Sequence, residues 1–258
     1  MEAVTANPTV VDGVALDVPE GMNVLEYQRH GHAIKLASAL YSKLQRRYWD
    51  LPHVNGIPLI LAIEDFHTAN SLHYSDASLR QYLYGHGATW YTDAEGELHI
   101  DPVPINEHRA GTKVIPSGFF GLPDADYVSA VLFSNSGTIP KFNRMGWLAG
   151  FGREAKVTMM RRGLCYDHTP NSSLPAQFFY ELGEEDAPTE TWRQGLSLFH
   201  NRRARFPLPR DFMGLAHHWL DGERLRSRLP DFHPFASLTV ILTPKPSGSD
   251  GGLPKEGV

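Results

Sequence analysis

The run IPLILAIEDFH, residues 57–67, closes on Glu64, Asp65 and His67, three side chains of the types that bind metals or move protons. They stand at the carboxyl end of a strand, the edge at which open α/β sheets form their ligand crevices. Carboxylates there suit Mg²⁺, which takes a few protein oxygens and keeps several waters. Alternation sends Glu64 and Phe66 to one face and Asp65 and His67 to the other, so the three do not readily share a site. Asp65 is therefore a candidate Mg²⁺ ligand, and Asp65 with His67 a candidate pair for small-molecule hydrolysis. The plainer alternative is a strand end whose acids cap or pair with neighbouring arginines.

A second group lies in residues 141–162, KFNRMGWLAGFGREAKVTMMRR, where Lys141, Arg144, Arg153, Lys156, Arg161 and Arg162 face a single acid, Glu154. Phe142, Trp147 and Phe151 are interleaved among them. Aromatics between cations suit a surface that stacks bases and neutralises phosphates, and Arg202 and Arg203 extend it if the fold brings them close. This predicts a nucleic-acid partner, either for an enzyme or for a non-catalytic binding protein with an exposed basic patch. An ordinary solvated or ion-paired surface is the competing reading.

Other chemistries lack their motifs. The 13 histidines include no HExxH, and the adjacent His217 and His218 point different ways on a strand or helix. Ser117 sits in PSG rather than in a nucleophile elbow. Neither dinucleotide nor P-loop glycine patterns occur. The single Cys165 excludes a disulfide framework and a cysteine-rich zinc site within the chain, and reads as a small buried apolar residue.

The elements that must position these groups follow from periodicity. Ile34, Ala37, Tyr41, Leu44 and Tyr48 recur at spacings of 3, 4, 3 and 4, predicting a helix over 33–49 that Leu51-Pro52 stops. Gly56-Ile57-Pro58 opens a strand over 59–66, whose continuous apolar run implies burial on both faces. A second helix is expected over 71–84. A hairpin is expected over 91–105, with its turn at Asp93-Ala94-Glu95-Gly96. Further strands are expected at 127–134, 196–200 and 236–242. Residues 141–153 read as a glycine-rich basic stretch, and those up to Gly31 as a loop or insertion.

With 258 residues, 41% hydrophobic and 21% charged, the chain has ample material for a core. The net charge of −5 is uneven: residues 1–140 carry 8 Lys/Arg and 16 Asp/Glu, residues 141–258 carry 16 and 13. The acidic part offers cation ligands and the basic part anion contacts. No charged leader precedes an apolar run, and the longest such run, 57–63, is far short of a membrane span. A soluble, cytoplasmic protein with no membrane association is expected. One α+β domain over 1–244 is predicted, a mixed β-sheet flanked by helices, with a disordered tail over 245–258.

SGFF, YVSAVLF, GTIPKFNRMG, Phe199 to Pro207 and DFHPFASLT, within roughly residues 31–244, resemble a family of uncharacterised bacterial proteins. The order Glu2-Ala3-Val4, helix from Ala33, strand from Leu59 more distantly resembles the PD-(D/E)XK, restriction-endonuclease-like core. That resemblance implies that Glu2 is the metal-binding acid of E-x-K and that Mg²⁺ activates water against a phosphodiester. It implies a core shortened at its N-terminus, because Val4 replaces the lysine and the metal-binding aspartate would precede Met1. Lys35 or Lys43 on the helix would then supply the displaced amine. The expectation is a degenerate nuclease-like protein in which Ala3 to Thr5 pair beside 59–66 and Glu2 faces one of those lysines.

Overall fold

The computed structural model describes residues 1–6, 9–11, 14–16, 31–66, 71–110, 112–169, 172 and 174–243. Its first elements are β1 (Glu2–Ala6), the paired β2 (Thr9–Val11) and β3 (Val14–Leu16), α1 (Ala33–Leu44), β4 (Leu59–Asp65) and α2 (Ser71–Tyr84). Two hairpins follow, β5 (His86–Thr92) with β6 (Leu98–Pro104) and β7 (Glu107–Ala110) with β8 (Lys113–Pro116). The second half holds β9 (Val128–Ser134), α3 (Ile139–Leu148), β10 (Thr158–Cys165), β11 (Ala176–Glu181), β12 (Leu196–His200), β13 (Ala216–Asp221), β14 (Arg224–Arg228) and β15 (Pro234–Leu242). This is the expected α+β class with a mixed sheet. His67 and the tail 245–258 lie outside the described residues. Among the described residues no helix is long and apolar enough to cross a membrane.

The principal sheet has the order β1-β4-β9-β12-β13-β14. Strands β1, β4 and β9 run parallel, β12 is antiparallel to β9, β13 is parallel to β12, and β14 is antiparallel to β13. The parallel start goes with the unbroken apolar run of β4: α1 and α2 pack on one of its faces, and on the other Ile60 packs with Ala130, Leu198, Leu208 and Phe212.

On the first face α1 packs Ala33, Ile34, Leu36, Ala37, Leu40 and Leu44 inward. The buried stripe is thus turned from the expected one: Leu40 is in the core and Tyr41 is 49% exposed. The helix also ends earlier than expected. Arg47 takes φ 51° and breaks the run, which lets Trp49 turn in and stack on Tyr127 with ring centroids 4.7 Å apart. Leu61 and Ile63 of β4, Leu79, Tyr82 and Leu83 of α2, and Val131, Phe133 and Phe199 complete this core.

Residues 141–153 correct the glycine-rich reading, because α3 occupies most of that stretch. Its Trp147 and Leu148 pack on Met159 and Tyr180 of a second, three-stranded antiparallel sheet, β11-β10-β15, and on Leu182 just after β11. The helix therefore bridges the two sheets. Gly163 at the centre of the small sheet is required by space, since a Cβ there would lie 2.1 Å from the Ala236 carbonyl oxygen.

Candidate functional site

The β1–α1–β4 unit brings Glu2 and Lys43 together. Parallel register pairs Glu2 with Leu61 and Ala6 with Asp65, so Glu2, Val4 and Ala6 share the face that α1 covers. Helix α1 runs back along β1, its last turn delivers Lys43, and the Lys43 ammonium forms an ion pair with the Glu2 carboxylate. The Tyr48 hydroxyl donates to the same carboxylate oxygen at 3.1 Å. The Lys43 hydrogen bond chiefly holds the Glu2 carboxyl below its ordinary range, and Glu2 in turn holds the Lys43 amine above its own. Lys35 lies two turns away, near the opposite end of α1.

The two candidate metal-binding acids, Glu2 and Asp65, do not converge. Asp65 is four residues along the paired strands from the position opposite Glu2, roughly 13 Å at the strand rise. It is fully buried and accepts a hydrogen bond from Ser75 on α2. Glu2 is already engaged by an ammonium and a hydroxyl. One Mg²⁺ does not fit this pair, and parallel register is the reason. Alternation does separate Glu64 from Asp65 as expected, and Glu64 lines a cavity of about 280 Å³ on the opposite face with Lys141. Elsewhere Asp93, Glu97 and His99 converge in the β5–β6 turn, but Asp93 already accepts from His99 and from the Glu95 and Glu97 amides.

The basic stretch splits in a way that contradicts the expected exposed patch. Lys141 and Arg144, three apart on α3, share its inward face and are 6% and 4% exposed. Arg161, on the α3-facing side of β10, is 5% exposed. Arg162 points to the other side of that strand by alternation. Arg153 lies over the Trp147 ring at 5.3 Å, and Lys156 is exposed in a left-handed turn. Arg202 and Arg203 flank the far end of the principal sheet, because β12 runs antiparallel to β9 and its C-terminus lies opposite the start of β9. A six-residue strand rise, roughly 20 Å, keeps them from Lys141.

The three buried cations are held by residues with no motif. Arg144 Nε donates to both oxygens of Glu190 at 2.9 Å, and Arg161 Nη1 lies 3.2 Å from Glu190 Oε1. The Tyr180 hydroxyl donates to Glu190 Oε1 at 2.8 Å. Arg161 also donates to Gln194 Oε1 at 2.8 Å and to the Ser237 hydroxyl, and Arg144 Nη1 donates to Thr239 Oγ1. Lys141 Nζ donates to the carbonyls of Trp192 (2.9 Å) and Gln194. Burial, reinforced by Arg144 and Arg161, pulls the Lys141 amine down to about 8, and burial also lowers Arg144. Burial pushes the Tyr180 hydroxyl up to about 12.

All three cations line one cavity of about 790 Å³ between α3 and the small sheet. Thr138 and Pro140, at the N-terminus of α3, form part of its wall. The helix end adds a positive dipole end to the same space. Three cations against Glu190 leave excess buried positive charge, which an anion would offset. Sequence reasoning named the cations but missed Glu190, Tyr180, Gln194, Ser237 and Thr239, single polar residues from separate segments with no spacing to mark them. The chain matches no protein-family model, no curated protein and no solved structure.

Proposed function

We propose that this protein binds a small anionic ligand, one presenting a phosphate or carboxylate group, in the cavity at the N-terminus of α3. The carrying observation is that Lys141, Arg144 and Arg161 are buried beside one cavity and that, among the described residues, Glu190 is the one buried carboxylate paired with the two arginines. Buried charges need partners, and a helix N-terminus beside them favours an anion. Arg144 and Arg161 are forked donors oriented by neighbouring acceptors, the arrangement that recognises planar or tetrahedral oxyanions. In place of an exposed nucleic-acid strip at 141–162, the cations line an open cavity.

Thermal and urea unfolding with inorganic phosphate, acetate and chloride at matched ionic strength tests it. A ligand at 100 times its dissociation constant adds about 2.7 kcal/mol. Stabilisation by phosphate or acetate beyond chloride supports the site, and equal behaviour of all three salts removes it.

A second reading, a degenerate nuclease-like protein, is favoured by the β1–α1–β4 order and by Lys43 meeting Glu2. Its test is cleavage of a labelled oligonucleotide with and without Mg²⁺ by the wild type and by Glu2→Gln. Loss of cleavage in that variant supports the reading, and equal behaviour of the two proteins takes Glu2 out of it.

A further inference from the structure

The far edge of the principal sheet carries a second set of cations, unrelated to the cavity. Strand β14 is RLRSR, pairs only with β13 among the described residues, and is exposed throughout. Arg224, Arg226 and Arg228 occupy alternate positions and so project from one face, about 6.8 Å apart. Their partners on β13 are Asp221, Trp219 and His217. Asp221 is the one acid that the two strands place on this face, and it lies 3.6 Å from Arg226. The Arg210 guanidinium lies over the Trp219 ring at 4.5 Å, a planar cation fixed against an indole. Arg202 reaches the same corner, donating to the Gly222 carbonyl in the β13–β14 turn at 3.3 Å.

An edge strand invites pairing with another chain. A second copy of β14 would set arginines against arginines, which is destabilising. The face calls for a flexible polyanion. Regular spacing of the cations matches successive phosphates of an extended backbone, and the Arg210–Trp219 stack offers a plane on which an unpaired base can lie. We propose that this face binds single-stranded nucleic acid, with Arg224, Arg226 and Arg228 on the phosphates and the Arg210–Trp219 pair under a base.

Fluorescence anisotropy of a labelled oligothymidylate over a salt series tests this, alongside a duplex of equal length and a polyglutamate peptide. Three phosphate contacts give a slope of log affinity against log salt of about −2. R224Q/R226Q/R228Q is expected to flatten that slope and weaken binding about 100-fold at 0.1 M salt. These side chains are exposed, so an unchanged melting temperature confirms folding of the variant. D221N, which removes the competing acid, is expected to tighten binding about fivefold, one phosphate contact on the same scale. The proposal is overturned if the wild type fails to bind the single strand, if the triple variant binds like the wild type, or if the duplex or polyglutamate binds as tightly.

Discussion

Arg144 and Glu190, 46 residues apart in the chain, meet with Arg144 Nε at 2.9 Å from both carboxylate oxygens and with both side chains almost without solvent contact. The pair ties α3 to the loop before β12. Because Arg161 and Tyr180 close on the same carboxylate, Glu190 is the counter-charge of the whole cluster.

Removing that counter-charge should be costly. E190A is expected to destabilise the fold by about 3–5 kcal/mol, since it leaves buried cations uncompensated. Urea unfolding measures it. The same variant should gain more stability from phosphate than the wild type does, because an anion then takes the vacated role. A cost under 1 kcal/mol would show that the cluster is solvated.

The Lys141 amine sets a pH dependence. Its value in the fold, about 8, lies below the ordinary 10.5, so between these limits the unfolded chain holds the extra proton. Stability from this group therefore rises with pH from about 8 to 10.5, while anion affinity falls over the same rise as the charge is lost. Urea titrations across that window should show a positive increment in the wild type that K141M lacks. Parallel curves for the two proteins would refute it.

His200 and His218 should make the fold acid-sensitive. Burial holds them down to about 4 and about 3, against an ordinary 6.5. The unfolded chain thus takes up protons first, so stability is flat above about 6.5 and falls as pH drops towards those values. The slope per histidine is at most about 1.4 kcal/mol per pH unit. His218 also stacks on Phe199 at 4.7 Å and meets the Ser227 hydroxyl at 2.8 Å. H218F should keep the stack and lose part of the slope between pH 6.5 and 4, read from urea midpoints.

Two glycines should respond differently to alanine. At Gly163 the added methyl meets backbone, the Ala236 carbonyl at 2.1 Å and Ser237 Cα at 2.8 Å. At Gly137 it meets the far end of the Glu64 side chain, which can swing away. G163A is expected to cost about 1–3 kcal/mol or more by overpacking and G137A clearly less. Thermal unfolding of both variants decides, and the reverse order would contradict the packing of the small sheet.

The surface pair Glu2–Lys43 should contribute little by comparison. Its members are 33% and 14% exposed at the side chain, and K43M should change stability by about 1 kcal/mol or less. A much larger loss in urea unfolding would mean that the pair, and not the apolar face of α1, secures the helix to β1.

What the sequence determined by itself was the set of elements marked by an apolar run or period: α1, α2, β4, β9, β12 and most of β15. Their existence follows from local pattern, and with them came the α+β class; the face that α1 buries did not, since Leu40 and not Tyr41 turns inward. Helix α3 was illegible because its inward face carries Lys141 and Arg144, so the residues that define its period look like solvent-facing ones. The arginines of β14 hid a strand in the same way, since no apolar alternation marked them. Tertiary structure alone decided which charges meet. Parallel register separated Glu2 from Asp65, antiparallel β12 carried Arg202 away from Lys141, and folding α3 onto the small sheet gathered three cations around Glu190. The physical reason is that apolar burial is written in local periodicity, whereas charge pairing depends on register and crossover, which join residues tens of positions apart.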